Sequence, residues 1–146
     1  SNGKTTSKEL INSALSKKYK TLATKGNLNN HIGVPLTLLS MTPKTEIGVV
    51  EMGANHPKEI EFLCNIALPD YGYITNFGKV HLEGFLNLEG VIQAKTEIYR
   101  HLKQHDKTVF VNTNDNYLFL QLIEKDLKQV LDLKFLYLFL WDLIFR

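Results

Sequence analysis

A single cysteine, Cys64, stands in the 146 residues, so the chain can form neither an internal disulfide nor a Cys-rich zinc site. Placed inside a helical pattern, Cys64 reads as a small buried hydrophobe. Charge of one sign is scarce too. The net charge is +2 with no basic block, which gives no footprint for nucleic acid. No uncharged run approaches the roughly 20 apolar residues that a membrane helix needs. No charged-then-apolar leader opens the sequence, and a cytosolic setting is expected. Repeats and low-complexity linkers are lacking. What remains, 44% hydrophobic and 22% charged residues, suits one globular domain with a real core.

The organising stretch is the first six residues, Ser1-Asn2-Gly3-Lys4-Thr5-Thr6. It matches the back half of a phosphate-binding loop, G-x-x-x-x-G-K-[ST]. In such a loop Gly3 lets the backbone approach phosphate, Lys4 reaches the β/γ oxygens and the Thr5 hydroxyl holds Mg²⁺, while the following helix aims its N–H groups at the anion. A helix start without ligand is the other reading. The first glycine and the strand expected before it are not in the sequence.

Apolar spacing predicts a helix over Lys8–Tyr19, with Leu10, Ile11, Ala14 and Leu15 inward and lysines on the other face. A short strand over Lys20–Thr24 follows, then the polar run Lys25 to His31 and a helix over Val34–Met41. Ile47–Met52 reads as a buried strand ending on Glu51, and Pro57 opens a helix to about Ala67. Beyond these come a strand over Tyr71–Asn76, a helix over Leu88–Leu102, a strand over Thr108–Asn112 and a helix to about Lys125. Alternating strands and helices imply an α/β fold, a mostly parallel sheet flanked by helices. Ligands of such sheets bind beyond the carboxyl ends of the strands, which brings Glu51, Asn76 and His81 to the edge that carries the phosphate loop. Residues 127–146 form a Leu/Phe-rich tail interrupted by Asp132, Lys134 and Asp142; strand, helix and truncation artefact all stay open for it.

Several residues at that edge suit chemistry. Glu51 is a Mg²⁺ carboxylate or a strand-end acid facing solvent. His81, within Thr75 to Gly84, is a surface histidine or an imidazole that ligates a second Mg²⁺ or steadies the reacting phosphate. Lys95 falls in the inward stripe of Val91, Ala94, Ile98 and Leu102. It either snorkels outward or stays as a partly buried amine of lowered pKa, able to take up CO₂ as a carbamate. Of Asn29, Asn30 and His31, N-capping accounts for one, and at least one of the others is expected to face ligand. Lys79 serves phosphate or solvent. His101 and His105 read as surface residues.

Taken together, these segments resemble the Mur ligase family, the ATP-dependent amide-forming enzymes of peptidoglycan precursor synthesis. The resemblance covers Ser1 to about Lys125. Within the family, the run Leu22 to Pro35, the run Glu51-Met52-Gly53-Ala54-Asn55-His56-Pro57 and the run Thr75 to Phe85 look most like the branch that adds D-alanyl-D-alanine. The resemblance implies a P-loop NTPase-like central domain, incomplete, over residues 1–126. It implies that Asn2, Gly3, Lys4, Thr5 and Thr6 bind ATP, and that Lys4, His81 and Lys95 act in catalysis. Thr5, Glu51, His81 and a carbamylated Lys95 would serve Mg²⁺, and Asn30 would lie near the acyl substrate. The implied substrates are UDP-N-acetylmuramoyl tripeptide and D-alanyl-D-alanine, joined through an acyl phosphate by a monomeric enzyme.

Family members have three domains, so the chain is expected to be part of a longer ligase and inactive alone. A folylpolyglutamate synthase, another Mur-type ligase and a non-catalytic nucleotide-binding module are the competing readings. The asparagine-rich run and the Glu51–Pro57 run argue against the first two.

Overall fold

Parallel pairing runs through every strand contact among the described residues. The structure, a computed structural model, describes residues 3–77, 88–112 and 130–132. Among these, α1 (Lys4–Leu15), β1 (Thr21–Ala23), α2 (Gly33–Leu39), β2 (Ile47–Val49), α3 (Glu59–Ala67), β3 (Tyr71–Tyr73), α4 (Leu88–Lys95), α5 (Glu97–Gln104), β4 (Thr108–Val111) and β5 (Val130–Asp132) follow one another. The α/β alternation expected from the sequence is present. The described strands divide into two sheets, β1-β2 and β3-β4-β5. In the first, Leu22 pairs with Gly48; in the second, Gly72 pairs with Val109 and Phe110 with Leu131. Strand β5 lies within residues 127–146, beyond the boundary drawn from the sequence. The helix expected up to Lys125 lies outside the described residues.

Helix α1 packs on β1 and β2, α2 on α3, and α5 on α3, β3 and β4. The core sits where α4 and α5 meet the second sheet. Ile74, Phe77, Ile92, Tyr99, Leu102, Val109 and Val111 are buried together there, and β4 turns Val109 and Val111 inward by strand alternation. A fully buried Leu or Val contributes about 1.5–3 kcal/mol, so this cluster anchors the half of the chain that carries Lys95.

Three local expectations change. The stripe on α1 is narrower than its periodicity, with Ala14 buried and Leu10 66% exposed. Lys8, read as a solvent-facing lysine, is only 3% exposed, because its amine is spent on two backbone carbonyls described below. The helix expected over Leu88–Leu102 breaks at Thr96, whose Oγ1 donates to the Gln93 carbonyl at 3.2 Å, a local side-chain bond that competes with helix continuation.

The break has a tertiary cause. Buried Glu97 sends its carboxylate across to the leading end of α3, where Oε1 accepts from the Lys58 N–H at 2.7 Å and Oε2 from the Glu61 N–H at 3.0 Å. A carboxylate there satisfies otherwise unpaired donors and complements the helix dipole.

Candidate functional site

Gly3 initiates the site. Its φ of 78° is in the left-handed region, where glycine carries no Cβ penalty. The Gly3 carbonyl accepts the Ser7 N–H at 2.9 Å and starts α1. The N–H groups of an α-helix's first turn have no partner within the helix and suit an anion. Lys4 is half-buried, and Thr5 and Thr6 are exposed. Asn2 and His81 lie outside the described residues, as do Gly78, Lys79 and Gly84.

One helical turn after Lys4, Lys8 joins α1 to the strand ends. Its Nζ donates to the Thr24 carbonyl at 2.6 Å and the Gly26 carbonyl at 2.9 Å, and pairs with exposed Glu9 at 2.8 Å. This contact sets the leading half of α1 beside the carboxyl end of β1. Thr24, fully buried, takes the Glu51 N–H on its Oγ1 at 3.0 Å. The ends of β1 and β2 are thereby tied side by side, at the edge where the sequence placed the ligand.

Glu51 is the buried carboxylate of that edge, 6% exposed. Its Oε1 accepts from Asn29 Nδ2 at 2.7 Å. Its Oε2 is also buried and has no hydrogen-bond partner among the described residues. Asn30, the candidate substrate residue, uses its Oδ1 to accept from the N–H groups of Ile32 at 3.1 Å and Gly33 at 2.9 Å, at the leading end of α2. Neighbouring asparagines thus divide the work: Asn30 serves the helix start, and Asn29 serves Glu51. His31 is exposed.

Lys95 ends α4 and is half-buried, within the inward stripe with buried Val91 and Ala94. Its Nζ donates to the carbonyl of Phe77, with the Asn76 carbonyl at 3.5 Å. Burial holds its pKa below the ordinary lysine value, and the positive charge of Lys4 pushes it the same way. Lys4 and Lys95 therefore feel each other across the site. Among the described residues no three His, Cys, Asp or Glu side chains gather as a metal cluster.

Sequence reading missed Lys8, Thr24 and Glu97, and took His101 for a surface residue when it is 4% exposed. The available signal for Lys8 was its i, i+4 spacing from Lys4, which puts both on one face of α1.

The Mur ligase middle-domain family model matches residues 1–135. The chain belongs to the Mur ligase family. The family match takes in β5. A UDP-N-acetylmuramoyl-tripeptide–D-alanyl-D-alanine ligase of Bacillus subtilis (strain 168) is 44% identical over 111 residues, 76% of this chain and 24% of the relative. The ligase of the same name from Escherichia coli (strain K12) is 42% identical over 118 residues, 81% of this chain and 26% of the relative. Among solved structures, MurF from Acinetobacter baumannii superimposes with a TM-score of 0.82 at 39% identity, over 90% of this chain and 29% of that one. MurF ligase from Thermotoga maritima, in complex with ADP, gives 0.80 at 35% identity, over 90% of this chain and 30% of that one. This Mur ligase chain thus spans about a quarter of the length of the curated relatives it matches. No helix among the described residues is long and apolar enough to cross a membrane.

Proposed function

We propose that the full-length protein joins D-alanyl-D-alanine to UDP-N-acetylmuramoyl tripeptide at the expense of ATP, and that this chain supplies part of its ATP-binding middle domain. The relatives of that name and the ADP-bound MurF support the substrates. The observation that carries the site is Glu51 Oε2, a buried carboxylate oxygen without a partner among the described residues. A buried charge costs several kcal/mol unless it is paired. Glu51 and Thr5 are hard oxygen donors, the chemistry that Mg²⁺ takes, and Mg²⁺ characteristically completes its shell with phosphate oxygens and water. The residues present therefore fit the cation. When bound, Mg²⁺ would draw charge from the γ-phosphoryl group and lessen its repulsion of an incoming carboxylate.

The chain's own residues supply the rest. Gly3 and the first turn of α1, with Lys4, cradle the phosphates. The tripeptide carboxylate attacks the γ-phosphorus, the bond to the ADP oxygen breaks, and an acyl phosphate forms. The D-Ala-D-Ala amine then attacks that carbonyl, phosphate departs, and the amine loses its proton. Lys4 offsets charge in the first step, Asn30 serves the acyl substrate, and His81 is assigned to catalysis from the sequence motif alone. Its lowered pKa opens carbamylation to Lys95. As a neutral amine it adds to CO₂ and releases a proton to water. The resulting carbamate is an anion that Lys4 stabilises and that suits a second Mg²⁺.

ADP release by the full-length protein, with UDP-N-acetylmuramoyl tripeptide present and D-Ala-D-Ala added or omitted, tests this. Turnover that needs both substrates is the expected result. Turnover with a different amine would move the protein to another branch of the family. ATP binding without any ADP release would overturn the ligase reading.

A further inference from the structure

Glu51 has a neighbour that the reaction does not name. The Asn29 side chain donates to Glu51 Oε1 at 2.7 Å, while the Asn29 carbonyl accepts the Gly53 N–H at 2.8 Å and its own N–H reaches the Asn27 carbonyl at 2.7 Å. Asn29 is thus fixed at backbone and side chain to the segment that carries Glu51. Gly53 makes room for it: a Cβ there would stand 2.8 Å from Asn29 Oδ1 and 3.0 Å from its Cγ. On the other side, Lys8 holds the carbonyls of Thr24 and Gly26 at the start of the same loop. The Asn29 amide therefore has little freedom to swing away.

We propose that Asn29 is a positioning residue which occupies one oxygen of Glu51 and so presents the other, Oε2, bare to the cation. The proposal rests on the reading of Glu51 as a cation ligand. A carboxylate with both oxygens unsatisfied rotates about its terminal bond and collects whatever donor is near. With Oε1 committed to an amide, one oxygen and one direction remain. Partners that orient a metal ligand in this way typically change metal affinity by about 10–100-fold when removed.

The test uses the full-length protein with ADP and Mn²⁺, whose free ion is counted by electron paramagnetic resonance. Asn29→Ala is expected to weaken Mn²⁺ binding to the ADP complex about tenfold or more, with metal-free ADP binding in EDTA unchanged. Asn29→Ser, which is too short to reach Oε1, should behave alike and stands in should the alanine variant fold poorly. In a Glu51→Gln background, replacing Asn29 should have no further effect on Mn²⁺, a coupling that a merely structural role would not produce. Unchanged Mn²⁺ affinity in both Asn29 variants, with Glu51→Gln impaired, overturns the role of Asn29 and leaves Glu51 standing. Unchanged affinity in Glu51→Gln itself removes the cation site and the proposal with it.

Discussion

Lys8 shows how a single side chain can belong to the site without touching ligand. Its ammonium is buried because two carbonyls, Thr24 and Gly26, replace its hydration, and the bond to exposed Glu9 adds little beyond that. Lys8→Met keeps the length and leaves both carbonyls without their donor. A buried acceptor left bare costs about 1–3 kcal/mol, so the urea midpoint should fall with an unchanged slope, and ADP affinity should fall with it as the loop loosens. An unaltered midpoint would mean that water replaces the amine at no cost. Periodicity arguments count every lysine as polar and therefore outward, which is why the burial of Lys8 was illegible. Cys64 was legible for the opposite reason, since small apolar residues in a helical stripe are usually inward. Burial pushes its thiol up to about 12, with the Glu97 charge adding to the effect, and its Sγ lies 3.9 Å from Met52 Sδ. The native protein should leave Cys64 unmodified by iodoacetamide at pH 8, with labelling appearing only in denaturant. Fast native labelling would show that this core opens.

At the scale of elements, the junction of α4 and α5 against α3 holds the Lys95 half of the site in place. Glu97 has both carboxylate oxygens engaged by N–H groups of α3, and Arg100 lies 3.8 Å from Oε1. Glu97→Gln retains the shape but offers one acceptor where two donors need one, and turns an amide NH₂ toward the other. Loss of about 1–3 kcal/mol is expected, read as a lower urea midpoint; a stability within error of the parent would show that the shape, and not the acceptors, matters. Sequence marked this helix from Leu88 to Leu102 as continuous because the apolar stripe of Val91, Ala94, Ile98 and Leu102 runs through it without a gap. The break at Thr96 comes from contacts that are distant in sequence, Glu97 with Lys58 and Glu61, and from one hydroxyl bond to Gln93. Strand and helix existence was legible from alternation and period. Element ends were not, because a terminus is decided by whichever partner reaches its free N–H and C=O groups first.

Across the whole molecule, the parallel α/β plan was readable, since strands that alternate with helices pair in parallel. Which asparagine turns to Glu51 was not, since Asn29 and Asn30 are adjacent and chemically alike, and only the packed loop separates them. Packing around α3 makes the fold sensitive to acid. His101 is buried against α3 with its ring stacked on His105 at 4.2 Å. Burial lowers its pKa, the His105 charge lowers it further, and Glu61 opposes both. The unfolded chain, with an ordinary value of about 6.5, then binds a proton that the folded protein refuses. Stability from this group is complete above about pH 6.5 and drains as pH falls toward and through the folded value. Glu59 follows lower down. Burial would raise its pKa, but the N–H groups of Asn55 and His56, bonded at 2.6 and 3.1 Å, outweigh burial and leave it lowered. Its contribution is present above the unfolded carboxylate value of 4.5 and is lost below it as the folded value is passed. Urea midpoints measured from pH 8 to about pH 2.5 should therefore stay level to about pH 6.5 and then decline in two stages. His101→Gln should flatten the upper stage and leave the lower one, whereas Glu59→Gln should do the reverse. A decline confined to the carboxylate range in the parent protein would show that His101 titrates as it does in water, and that the α3–α5 contact opens before acid reaches the core.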